Sequence, residues 1–136
     1  MSLKIEDKLE ISELLSRYNL SMDRNDVEGW LNTWLDDGAF IANFGEARGK
    51  KELEELMKRI LSEFASGKRH VTTNLIVGRE EKKGVGVISY LTVIDAKRKP
   101  SIVASGLYKD ILQKDDKNNW KFLHRRLEVD LVDNES

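Results

Sequence analysis

Residues 68–78, Lys68-Arg69-His70-Val71-Thr72-Thr73-Asn74-Leu75-Ile76-Val77-Gly78, decide the fold, because the hydrophobic period changes there. Alternation puts His70, Thr72, Asn74 and Ile76 on one face and Val71, Thr73, Leu75 and Val77 on the other, as in a strand. The same period continues downstream. His70–Gly78, Gly84–Ala96, Pro100–Gln113 and Asn119–Val132 read as four long strands. The polar links Glu80–Lys83, Lys97–Lys99 and Asp115–Asn118 are short enough for antiparallel hairpins.

Upstream the period is helical. Ile5, Leu9, Leu14, Tyr18 and Met22 predict one face of a helix from about Lys4 to Met22. Asp26 is placed to cap a short second helix that buries Val27, Trp30, Leu31 and Trp34. Asp36-Asp37-Gly38 then reads as a turn, Ala39–Phe44 as a short strand and Gly45–Gly49 as a connection. Leu53, Leu56, Met57, Ile60, Leu61 and Phe64 recur at helical spacing in a third helix, which Ser66-Gly67 closes. Helices first and a meander afterwards predict an α+β fold, with helices on one side of a curved sheet. The cavity between the two layers can hold a small molecule. With 136 residues, one proline and no repeat or linker, residues 1–136 are expected to form a single domain.

Composition narrows the function classes. Lys+Arg is 23 against Asp+Glu 24, so the basic excess that nucleic-acid and anionic-membrane partners require is missing. There are no cysteines, which excludes disulfides, thiolate metal sites and cysteine nucleophiles. The first residues contain no long apolar run, so neither a signal peptide nor a membrane span is expected, and the location is expected to be cytoplasmic. Gly84-Val85-Gly86 is a strand start rather than a phosphate loop, since no helix follows it. Lys50-Lys51-Glu52-Leu53-Glu54-Glu55 mixes signs and reads as a solvated helix face.

Two histidines exist, and they are expected to face opposite sides of the sheet. His70 begins a polar seam with Thr72 and Asn74; its bland reading is a rim or hydrogen-bonded strand histidine. Asp23 ends the first helix one residue beyond Met22, where it either points inward or caps the helix-to-helix turn. Together the two suggest a dyad, in which a buried carboxylate fixes the imidazole tautomer and makes the far nitrogen a base. Arg125 shares parity with Leu123, Leu127 and Val129, so it is expected inside, either holding an oxygen-bearing substrate group or ion-paired with a carboxylate. A metal site needs three or four ligands, and with the two histidines on opposite sides and no H-x-x-x-H spacing no metal is expected.

The order Tyr18…Asp23-Arg24…Trp34…Asp36-Asp37, Gly49, His70…Thr73-Asn74-Leu75, Gly106-Leu107-Tyr108 and Trp120-Lys121-Phe122 resembles the SnoaL-like group of the nuclear transport factor two-like superfamily. The resemblance spans nearly the whole chain. It implies a cone-shaped barrel of three N-terminal helices on a strongly curved, mixed, mainly antiparallel sheet, a deep apolar pocket and no cofactor. In the dehydrochlorinase and dehydratase members of that group an Asp–His pair lies in the pocket, and its positions match Asp23 and His70 here. A pocket arginine of the dehydrochlorinase falls on Arg125, and its pocket wall on Phe40, Ile88, Tyr90 and Tyr108. Its first-helix lysine is Tyr18 here, a hydrogen-bond donor that suits a carbonyl or hydroxyl group.

These readings point to a cofactor-independent lyase or isomerase acting on a small apolar organic molecule. His70 would be the base and Asp23 its orienting acid, with Arg125 and Tyr18 or Tyr108 stabilising negative charge. A non-catalytic small-molecule-binding or accessory protein is the alternative, and a dioxygenase small subunit a more remote one. The outer sheet face, with Val71, Leu75 and Val77 as exposed apolar residues, is expected to join copies into a homodimer or homotrimer.

Overall fold

The computed structural model describes residues 3–97 and 99–130. Helix α1 (Ile5–Asp23) begins with half of a capping box: the Lys4 backbone N–H donates to the Asp7 carboxylate at 3.2 Å. The other Asp7 oxygen accepts from the Trp120 indole at 3.1 Å and pairs with Lys114 at 3.3 Å, so the helix start is tied to the last hairpin. The Trp120 indole bond is the chief reason the Asp7 carboxyl sits below its ordinary range. Its buried stripe is Ile11, Leu14, Leu15, Tyr18, Asn19 and Met22. Ile5 and Leu9, expected on that stripe, are exposed. Leu9 precedes Tyr18 by about two and a half turns of a 3.6-residue helix, which puts it on the opposite side.

Arg24 and the left-handed Asn25 (φ 58°) end α1, and Asp26 caps α2 (Val27–Leu31) by accepting the Gly29 N–H at 2.9 Å. Trp34 is buried, but as the first residue of strand β1 (Trp34–Ala42) rather than on α2. The expected turn at Asp36-Asp37-Gly38 is instead an irregularity inside β1, between Trp34 and Ala39 in its pairing with the last strand. Gly45–Gly49, expected as a connection, supplies strand β2 (Gly45–Arg48), and α3 (Gly49–Ile60) follows it and continues as a π-helical turn, Leu61–Ala65. Gly67, at φ 77°, then reverses the chain in a conformation that side chains disfavour.

The four strands of the second half are present, with moved ends: β3 (Lys68–Glu81), β4 (Gly84–Asp95), β5 (Ser101–Lys114) and β6 (Trp120–Val129). The expected continuation of β6 to residue 132 lies outside the described residues, as does residue 98 of the β4–β5 link. The sheet order is β2-β1-β6-β5-β4-β3, with β1 and β6 parallel and every other pair antiparallel. The sheet is curved over the helices and is not closed: among the described residues β2 and β3 are its edge strands. Between helices and sheet Tyr18 is the hub of an aromatic cluster, its ring centroid 5.3 Å from Phe122 and 5.4 Å from Trp30.

Two side-chain assignments differ from expectation. In β3 the register against β4 shifts between Thr73 and Ile76, and Asn74 sits at φ 56°. This bulge inverts the alternation, so Leu75 and Val77 pack on the core while Ile76 is exposed. In β4 the inward set is Val85, Val87, Ser89, Leu91 and Val93. Period two then puts Ile88 and Tyr90, expected on the pocket wall, on the outer face, 49% and 53% exposed.

Candidate functional site

Asp23 is the last residue of α1, and the bonds that end the helix fix its place: Arg24 N–H to the Leu20 carbonyl at 3.0 Å and Asp26 N–H to the Ser21 carbonyl at 2.8 Å. Across from it runs β3, an edge strand whose outward N–H groups have no strand to pair with. The His70 backbone N–H is one of these, and it donates to both Asp23 carboxylate oxygens, at 3.1 and 3.2 Å. The imidazole Nδ1 lies 2.7 Å from Asp23 Oδ1. The side chains are only 5% and 8% exposed, His70 and Asp23 respectively. A carboxylate only accepts, so Nδ1 carries a proton, and in the neutral ring the lone pair is on Nε2. The ring is held through Nδ1, and among the described residues Nε2 has no hydrogen-bond partner.

His70 forms part of the wall of a cavity of about 540 Å³ between α1, α3 and the sheet. Met22, Leu91, Val93 and Leu127 make its apolar lining, and Phe40, expected there, contributes its ring. Phe44 and Phe64 lie at the half-exposed rim with Arg59 from the end of α3 and Glu63 from the π-helical turn. Tyr18 and Tyr108 supply buried phenols. Burial pushes the pKa of both upward, so each is a neutral O–H donor at any physiological pH.

Arg125 is fully buried, as its parity predicts, but it does not line the cavity. Its Nε donates to Asp110 at 2.9 Å, so the ion-pair reading holds. Its guanidinium carbon is 3.5 Å from the Tyr108 ring centroid, 4.3 Å from Tyr18 and 4.5 Å from Phe122, a cation beneath the floor of the cavity. Burial raises the Asp110 carboxyl to about 6 against the opposing pull of Arg125. Burial alone would lower Arg125, and Asp110 with the two phenols more than offsets it. Ile88 and Tyr90 take no part in the cavity. Among the described residues no three His, Asp or Glu side chains stand together as metal ligands.

The sequence reading missed Asp110, Ser89 and Asn19, all buried polar side chains around this site. Asp110 had a signal, since it shares parity in β5 with Tyr108 and Leu112. The lining residues Leu91 and Val93 had one too, in the alternation of β4.

A family model described as the SnoaL-like domain matches residues 4–126. The chain belongs to the SnoaL-like family. Members of this family are often cofactor-independent isomerases or dehydratases. Among solved structures, this SnoaL-like chain is similar to a Nostoc punctiforme protein of unknown function with a cystatin-like fold, 38% identical over 96% of both chains, TM-score 0.88. It is also similar to a variant of a Mycobacterium tuberculosis protein of unknown function, 31% identical over 93% of this chain and 73% of that one, TM-score 0.81. A putative scytalone dehydratase from Novosphingobium aromaticivorans shares the fold at 20% identity, over 97% of this chain and 89% of that one, TM-score 0.80. No curated protein matches the chain. Among the described residues no helix is long and apolar enough to cross a membrane.

Proposed function

We propose that this SnoaL-like protein is a cofactor-independent lyase or isomerase that abstracts a proton from a small, mainly apolar organic molecule held in the cavity. The observation that carries the reading is the 2.7 Å contact of His70 Nδ1 with Asp23, made by a histidine on the cavity wall. His70 Nε2 takes a proton from a carbon next to a carbonyl or a leaving group. Asp23 keeps the tautomer and stabilises the imidazolium that forms. The neutral phenols of Tyr18 and Tyr108 donate to the oxygen on which charge develops. Arg125 acts through them, as a positive charge beneath both rings. The imidazolium then returns the proton, to a second carbon in an isomerisation or to the departing group in an elimination.

The test is proton exchange. With a bicyclic aromatic ketone such as α-tetralone in D₂O, deuterium uptake at the carbon beside the carbonyl, followed by NMR, should be faster with the protein than with buffer. His70→Gln should remove about 10²–10⁴-fold of that rate, the usual contribution of a positioned base. No acceleration over a panel of aromatic ketones and alkyl halides would leave a binding protein instead.

A second copy of the chain is the occupant this reading assigns to the outer sheet face. Ile76 and Ile88 face each other in register there, Tyr90 continues the patch, and Lys109 and Glu128, paired at 3.1 Å, lie on neighbouring strands. An apolar centre beside charges of both signs is self-complementary, as a homodimer or homotrimer needs.

A further inference from the structure

We propose that Asn19 and Thr72 are positioning residues for the Asp23–His70 pair, a second rung that sets how α1 meets the edge strand. The proposal deepens the reading of His70 as a base and rests on it. Asn19 Nδ2 donates to Thr72 Oγ1 at 2.7 Å. Asn19 precedes Asp23 by one helical turn, and Thr72 follows His70 by two strand residues. Four helical residues rise about 6 Å and two strand residues about 6.6 Å, so the two rungs match in pitch. They match in one sense only, with α1 antiparallel to β3, which is the arrangement present: Asp23 on His70, Asn19 on Thr72.

The rung joins the two elements that carry the dyad one helical turn further in. Asp23 is the terminal residue of its helix, where helices fray. His70 is on an edge strand with one neighbour, β4. Just beyond Thr72 the bulge at Asn74 inverts the strand, so Thr72 is the last residue before the bulge that can meet α1 alongside His70. Asn19 is 5% exposed within an otherwise apolar stripe, and its Oδ1 has no partner among the described residues. A buried amide with one oxygen unpaired costs stability, and a leucine would serve packing better. The directional bond to Thr72 is what the amide supplies and leucine cannot.

The experiment reads the dyad directly and needs no substrate. In ¹⁵N-labelled protein, exchange of the His70 Nδ1–H with water is measured in wild type, Thr72→Val and Thr72→Ser. Thr72→Val keeps the shape and deletes the hydroxyl, and exchange should speed up by about three- to tenfold. Thr72→Ser should behave as wild type, a rescue that packing alone would not give. Asn19→Leu removes the rung from the helix side and should reproduce the Thr72→Val result, which covers the case of one variant failing to fold. Unchanged exchange in the folded Thr72→Val or Asn19→Leu protein, whatever its unfolding midpoint, would overturn the proposal. Absence of turnover would bear on the base reading and leave this signal as it is.

Discussion

His124, the second histidine, has no part in the cavity, and its environment differs from that of His70. Burial, then Arg126 and Arg48, hold its pKa below the ordinary 6.5. The unfolded chain therefore takes up this proton more readily, and the stability tied to neutral His124 is lost as pH falls below about 6.5. Asp110 works the other way. Its carboxyl titrates near 6 when folded against 3.8 otherwise, so its contribution is present at low pH and lost as pH rises through about 6. Urea unfolding at pH 7 and pH 5 should show His124→Gln gaining stability relative to wild type at the lower pH; an equal difference at both values would contradict the assignment. That Asp23 and His70 meet was legible chiefly through the resemblance, since a helix-ending acid and a strand-opening histidine each also have a bland reading. Asp110 was not singled out as the partner of Arg125, since any of 24 acidic residues can fill that role until β5 and β6 are placed in register. Arg125 was read as inside, and it is; that aromatic rings separate it from the cavity depends on how Tyr18 and Tyr108 fold over it, which no spacing encodes.

At the scale of elements, the strands were legible and their interruptions were not. Period two identifies β3 to β6, yet a single bulge at Asn74 reverses which residues of β3 face the core. Asparagine tolerates φ 56° better than most side chains, because its short amide bonds locally, whereas a β-branched residue there is strained. Asn74→Val should therefore cost about 1–2 kcal/mol in urea unfolding, and Asn74→Gly close to nothing. A neutral Asn74→Val would mean the bulge is not needed to bring Leu75 and Val77 inward. For α1 the error came from accepting the five-residue step between Leu9 and Leu14 as helical spacing: Leu9 is half a turn out of phase with Tyr18. Ile88 and Tyr90 failed for a similar reason, since a resemblance carried them into the pocket against the alternation of β4.

For the whole molecule, the helices-then-meander order was enough to give the fold class, and the open edge of its sheet is what lets α1 deliver Asp23 to His70. A closed barrel would pair the His70 N–H with another strand and leave the carboxylate without it. Among the described residues no layer covers the convex side of the sheet, where Ile76, Ile88 and Tyr90 are exposed. If a second copy covers them, Ile88→Asp should reduce the assembly to monomers by light scattering, with little effect on the fold. A wild-type protein that is already monomeric at micromolar concentration would remove that interface. The proposed chemistry turns on one nitrogen, His70 Nε2, being an unprotonated acceptor inside an apolar cavity. Its ¹⁵N chemical shift in the wild-type protein at neutral pH measures this directly. The expected result is the Nδ1–H tautomer, with Nε2 resonating as an unprotonated nitrogen and Asp23→Asn mixing the two tautomers. A proton found on Nε2 instead would mean that Asp23 does not orient the ring, and His70 could not serve as the base.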